Sequence, residues 1–494
     1  MRDATKPSMM ATNGTDLTGD AARDARYLRL TLGFVLATNL ACSFYASIDA
    51  RGLYHDGVYY LLKIAEHEWF FLIDPARNAV QTLRQAPIVL LSKFTDMSLF
   101  QRGQVFTFVL LVLPTLLCAL CWLIVPRDRK AWILFPLTYL LIGFSATSMH
   151  AIGEASIATS YFWILLFLLL FRARSIASQV LFLLLCIPAF QMHEATFPLM
   201  GVLLFACAMR ARVTANMRDC IFLGLSALLI AAIIAYQIRW IIYPRFPTDR
   251  ENILQGLIHF QFLFVDGHLN LPLVTGIVAL LALAAAFFVH ATGSRNTGAV
   301  STRTIALVFA LFALAAITAA ILIERSFSPF AQLQARYQPV FISAALGAVV
   351  VLLLELRLPD QLWLQPTTIF ILVTLCATQT TADVAATRRW HAYVVDLQSR
   401  LADGRGLIPW EATLHTGDRF RDVNWRLMAV PWVIPVTSIV YSPGGRINSI
   451  INLPAGSTYR PVDPEKPDQL PKLRGVDYTP YLRFFAARNA DTLP

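Results

Sequence analysis

The sequence predicts an all-α polytopic membrane protein of about eleven transmembrane helices, with a small α+β extracytoplasmic domain at its C-terminal end. Three observations carry this. Of the 494 residues, 56% are hydrophobic and 15% charged, with a mean hydropathy of +0.57. The longer apolar blocks run to about 18–22 residues, enough to cross a hydrocarbon core of about 30 Å; a barrel would instead alternate over ~10-residue segments. Finally, Lys and Arg are unevenly spread. With the N-terminus in the cytoplasm, the inner segments hold sixteen in about 70 residues, and the outer loops before residue 381 hold ten in about 115.

The elements follow in order. Residues 1–27 are polar, with Arg2, Lys6, Arg23 and Arg26, and read as a cytoplasmic tail. The apolar run Leu28–Ala46 lacks a good small-residue cleavage site, so it is expected to remain as an anchor. Spans are expected at 28–46, 104–125, 132–148, 158–171, 177–191, 195–209, 219–239, 271–290, 304–323, 339–356 and 364–380. Gln191-Met192-His193-Glu194 divides two short apolar halves. Residues 177–209 therefore read as a hairpin turning at His193-Glu194, because one long tilted span would bury those groups at its centre. Together, 28–380 form the membrane domain.

The first outer loop, 47–103, is the longest before the tail. A helix is expected over Gly57–Phe71, a break at Asp74-Pro75-Ala76-Arg77-Asn78, and a second, interfacial helix over Gln85–Phe94. Residues 251–265 read as a third interfacial helix. Residues 381–494 form the outer domain. Ala382–Leu401 reads as helix, stopped by Gly404-Arg405-Gly406, and Val433–Tyr441 as the best strand, an edge strand because of Pro435.

The seven cysteines lie in or beside apolar segments, as small hydrophobes packing between helices do. No disulfide framework or cysteine-bound metal is expected. The net charge of +10 follows from the cytoplasmic loops, so no nucleic acid partner is expected.

Asp56 heads the first loop helix. A carboxylate there caps free N–H groups; at a membrane surface it also serves as a general base toward a hydroxyl acceptor. Asp49, His55 and Tyr60 stand in the same loop. Glu154 sits in the turn before the fourth span, and His193-Glu194 at the hairpin tip; both read as solvated turns or as groups facing a common cavity. Outer arginines run against the charge bias, and a lipid-linked phosphate would give them a purpose, as would snorkelling to headgroups. Arg336, Arg239 and Arg245 are the candidates for the phosphate. No H-E-x-x-H or H-x-E…C-x-x-C pattern supports zinc hydrolysis.

Asp56-Gly57-Val58-Tyr59-Tyr60, followed by Ala65-Glu66, resembles the first-loop motif of the GT-C superfamily of polyprenyl-phosphate-sugar glycosyltransferases, which includes lipid A aminoarabinose transferases and protein O-mannosyltransferases. In that motif an acidic pair follows the first span and a tyrosine stands four residues on. The first acid matches Asp56 and the tyrosine Tyr60; Gly57 stands in place of the second acid. The long first outer loop, the acid before the fourth span (Glu154) and the outer C-terminal domain agree with the family layout. The resemblance implies a GT-C-like fold and an inverting transfer of sugar from a polyprenyl-phosphate carrier to a hydroxyl of a glycan, lipid or protein. It implies a catalytic role for Asp56 and, by layout, Glu154, with Tyr60 at the substrate. From the residues themselves, Asp49 is the further catalytic candidate, Arg336, Arg239 and Arg245 are the candidates for the donor phosphate, and His55, His193 and Glu194 are candidates for substrate contacts. A divalent cation, Mg2+ or Mn2+, is the candidate cofactor, with no ligand set named. A bacterial inner membrane, with the site facing the periplasm and lipids around the bundle, is the expected location.

Two alternatives stay open. Arg336 and Gly347 have the R-x10-G spacing of O-antigen polymerases, which move glycans from polyprenyl-diphosphate carriers and usually lack an acidic first loop. A non-enzymatic lipid or solute transporter should carry charge or broken helices at the membrane midplane, whereas nearly all acids here fall outside the predicted spans.

Overall fold

The computed structural model describes residues 16–54, 56–142, 153–173, 175–214, 216–244, 338–355, 366–404, 406–409, 433–443 and 449–452. Among these the chain is almost wholly helical. Six helical segments are long and apolar enough to cross a membrane: Arg26–Ile48, Leu99–Ile124, Glu154–Arg172, Glu194–Val213, Met217–Ile242 and Ile369–Asp403. Ile176–Ala189 and Pro339–Leu354 are shorter apolar helices. This is the make-up of an integral membrane protein. The predicted spans 271–290 and 304–323 and the interfacial helix 251–265 lie outside the described residues.

Helix α1 (Asp16–Ile48) ends in a turn at Asp49-Ala50 and a 3-10 turn over Arg51–Leu53. Helices α2 (Asp56–His67) and α3 (Asn78–Phe94) follow. The expected first-loop pair is therefore present, but α2 stops short of Phe71 and α3 starts seven residues before Gln85. Asp74 explains the early start: its Oδ1 accepts the Ala76 N–H at 2.9 Å, and the Arg77 N–H reaches Asp74 O at 2.8 Å. The break is thus a compact turn that launches α3 directly. Helix α4 (Leu99–Ile124) opens on a capping box, with Ser98 and Gln101 exchanging side-chain and backbone hydrogen bonds.

The predicted span 132–148 is described as a 3-10 stretch, Arg127–Ile133, and α5 (Leu134–Ile142). Helix α6 (Glu154–Phe167), extended by a π-turn over Leu168–Arg172, is buried along its whole length. It is the axis of the bundle, with α4 against it and Trp163 Nε1 donating to Ser343 Oγ at 3.1 Å. Helices α7 (Ile176–Ala189) and α8 (Phe197–Val213) form the expected hairpin, turning through Phe190–His193 and a 3-10 turn at Glu194–Thr196. Helix α9 (Met217–Ile242) packs on α8, and α10 (Gln338–Glu355) on α8, α6 and α5.

Helix α11 (Pro366–Asp403) is one continuous element that includes both the predicted span 364–380 and the predicted helix of the tail. It packs along α1 and ends before Gly404, as expected. Beyond it, β1 (Gly406–Ile408) pairs in parallel with β2 (Ser449–Ile451). Between them lies α12 (Ile434–Tyr441), a correction to the strand expected at Val433–Tyr441. Pro435 falls in the first helical turn, where a missing N–H costs nothing. The Thr437 and Ser438 hydroxyls bond back to Val433 O and Ile434 O, and every residue of α12 is buried.

The bundle has two chemically distinct ends. Arg172, after α6, donates to Ile124 O and Leu123 O at the end of α4, and Arg210 of α8 donates to Leu169 O. The opposite end of α6, at Glu154, carries the acidic cluster described next.

Candidate active site

Glu154 is the first residue of the central helix and is buried, with 6% of its surface exposed. Two arginines reach it, Arg84 of α3 and Arg77 at the N-cap of that helix. Arg84 Nη2 lies 2.7 Å from Glu154 Oε1, and Arg77 Nη1 3.6 Å from Glu154 Oε2. Arg77 also grips Glu194 with both prongs of its guanidinium, Nε to Oε2 at 2.9 Å and Nη2 to Oε1. Asp74 Oδ2 stands 3.5 Å from the same Arg77 Nε. Helix α3 is set against this corner by backbone bonds. The Ala79 and Val80 N–H groups, free at the helix start, both donate to Gln191 O in the hairpin turn.

The arginines have a third neighbour. The Arg84 guanidinium lies 3.9 Å from the centre of the Tyr60 ring, a close cation–π contact. The Tyr60 hydroxyl accepts from Gln81 Nε2 at 3.1 Å. Burial first, and then the charge of Glu154, pushes the Tyr60 phenol well above its ordinary pKa; Asp56 adds to this, while Arg84 and Arg77 oppose it. Two carboxylates and two guanidiniums thus act on one phenol. Burial works to lower the Arg77 pKa, but Glu194, Glu154 and Asp74 hold it well above the ordinary arginine value. Asp74 is raised, chiefly by burial, with Arg77 working against the rise.

Asp56 is half-buried at the head of α2, one turn before Tyr60. Gly57 beside it has a steric reason. A Cβ there would sit 2.0 Å from Gly52 O, so no side chain fits and a second acid has no room.

The predicted site residues therefore divide. Tyr60, Glu154 and Glu194 are gathered by the arginines at α3, His193 adjoins Glu194, and Asp56 stands one turn before Tyr60, where its charge bears on the phenol. His193 Nδ1 accepts the Ala195 N–H at 3.1 Å, so its 3.5 Å approach to Glu194 Oε2 is proximity without a shared proton. Asp49 does not join: its partners are on α11 and α12, with Oδ2 3.0 Å from His391 Nδ1. Arg239 is exposed at the end of α9, 5.9 Å from the Trp240 ring. His55, Arg245 and Arg336 lie outside the described residues.

Sequence reasoning passed over Arg77, Arg84 and Gln81. The signal was present: Arg77, Gln81, Arg84 and Gln85 recur at helical spacing, a polar stripe on one face of α3. Among the described residues no group of three or more His, Cys, Asp or Glu is gathered closely enough to hold a metal ion. Glu154 and Glu194, the buried carboxylates of the cluster, both lie against arginine. No family model, curated protein or solved structure matches the chain.

Proposed function

We propose that this protein is an inverting glycosyltransferase that moves a sugar from a polyprenyl-phosphate carrier to a hydroxyl acceptor at the outer face of the membrane. The observation that carries the reading is the convergence on Tyr60 of Asp56, Glu154, Arg77 and Arg84 at one end of an apolar helix bundle. That end would face the periplasm of a bacterial inner membrane, and the Arg172 and Arg210 end the cytoplasm.

In this reading Asp56 takes the proton of the acceptor hydroxyl. The oxygen attacks the anomeric carbon, the bond from that carbon to the phosphate oxygen breaks, and the polyprenyl phosphate leaves with the electron pair. Arg77, the less buried of the two arginines, meets the phosphate charge. Arg84 stays under Tyr60 and Glu154 and shapes the field. The partner set is a lipid-linked sugar, a glycan, lipid or protein acceptor, and the surrounding lipids.

Asp56→Asn tests it. Asn keeps the volume and still caps a helix, so the fold should survive, while it accepts no proton. In the purified full chain, turnover of a panel of polyprenyl-phosphate-linked sugars should fall by ~10²–10⁴-fold, with donor binding intact. Near wild-type turnover would reduce Asp56 to a cap and remove the main support for the reading.

A further inference from the structure

Two side chains, one on α11 and one on α12, end their hydrogen bonds on backbone, and on the same turn. Trp390 Nε1, on α11, donates to Asp49 O at 2.8 Å. The Tyr441 hydroxyl, on α12, lies 2.9 Å from Asp49 O and 3.1 Å from Ala50 O. The next two residues are also held. Arg51 donates to the Asp383 carboxylate at 2.5 Å and to Thr387 Oγ1 at 2.6 Å, and Gly52 N to Thr107 Oγ1 at 3.0 Å.

At the centre of this clamp Ala50 has φ 50° and ψ 45°. Alanine resists that left-handed conformation, so its surroundings must impose it. From Ala50 the chain passes through the 3-10 turn into α2. There the Gly57 N–H meets Tyr54 O, and Gly57 presses on Gly52 O too closely for any Cβ. The Ala50 backbone therefore sets the origin of α2, and with it the places of Asp56 and Tyr60.

We propose that Tyr441 and Trp390 are positioning residues. By bonding to the Asp49 and Ala50 carbonyls they hold Ala50 left-handed, which fixes α2 and keeps Asp56 within reach of the charges around Tyr60. The catalytic consequence rests on the function proposed above; the positioning itself does not.

The experiment compares Tyr441→Phe with Ala50→Gly/Tyr441→Phe in the full chain in nanodiscs. Phe keeps the ring against Phe100 and Trp390, at 5.5 and 6.2 Å between centroids, and loses only the hydroxyl. Amide exchange over residues 51–60 should rise roughly tenfold in Tyr441→Phe, as for a lost buried hydrogen bond, with α4 and α6 unchanged. Glycine takes a positive φ without strain, so Ala50→Gly in the double variant should restore most of the protection. A role confined to packing the tail would give no such rescue. Unchanged exchange, a rise spread equally over α4 and α6, or failure of the rescue would each overturn the proposal. In parallel, Tyr441→Phe should lower kcat for polyprenyl-phosphate sugars and leave KM in place. If Asp56→Asn keeps wild-type turnover, the proposed function fails, and the exchange measurement still decides the clamp.

Discussion

The two ends of the bundle treat positive charge in opposite ways. At one end Lys130, Arg172 and Arg210 donate to backbone carbonyls, those of Trp122, Val125, Leu123, Ile124 and Leu169. Those at the end of α4 are helix C-terminal carbonyls, which lack intrahelical partners and favour any cation. At the other end Arg77 and Arg84 are matched to the particular carboxylates Glu154, Glu194 and Asp74. The first arrangement ends helices, and its members can be exchanged. The second takes paired charges out of water, where removing one strands the rest. Under the proposed function, that set is what holds the field around Tyr60 in place.

The contrast can be broken by substitution. Glu154→Gln should have the largest effect, because Arg84 then stays buried without its counter-charge. A loss of about 3–5 kcal/mol is expected, read from thermal unfolding of the full chain; a loss below about 1 kcal/mol would mean that the pair is solvated. Gly57→Ala comes next. Its new methyl would meet Gly52 O at 2.0 Å, α2 would have to shift, and overpacking of this kind costs about 1–3 kcal/mol. Wild-type stability in Gly57→Ala would show that α2 is not seated against that carbonyl. Arg172→Gln should matter least, within about 0.5 kcal/mol, since Arg172 is exposed and water replaces its donors. If it destabilises as much as Glu154→Gln, the two ends do not differ in kind.

The helical, membrane-spanning character was legible because apolar length reports directly on a bilayer, and so were the His193-Glu194 turn and the stop at Gly404, each marked by polar or glycine residues in apolar or helical text. Val433–Tyr441 misled for a physical reason. A short, wholly buried apolar run carries no period that separates helix from strand, and its β-branched residues tipped the reading. Within the candidate site, residue type and position singled out Asp56, Tyr60, Glu154 and Glu194. Nearness in sequence grouped Asp49 with Asp56, but it says nothing of the turn that sends the Asp49 contacts to α11 and α12. Arg77 and Arg84 flank no predicted span, so charge bias did not mark them, although their polar stripe is visible in the sequence. Gly57 read as a lost acid; only the Gly52 carbonyl explains it.

Helix α11 is a single rod of 38 residues, about 57 Å at 1.5 Å per residue. Its N-terminal stretch is apolar enough to be gripped by lipid, and farther along it carries Asp383, Thr387 and Trp390 against the turn that launches α2. A continuous helix tilts as one body when its apolar length exceeds the thickness of the surrounding bilayer. The Asp49-Ala50 turn is bonded to the same helix that lipid would tilt.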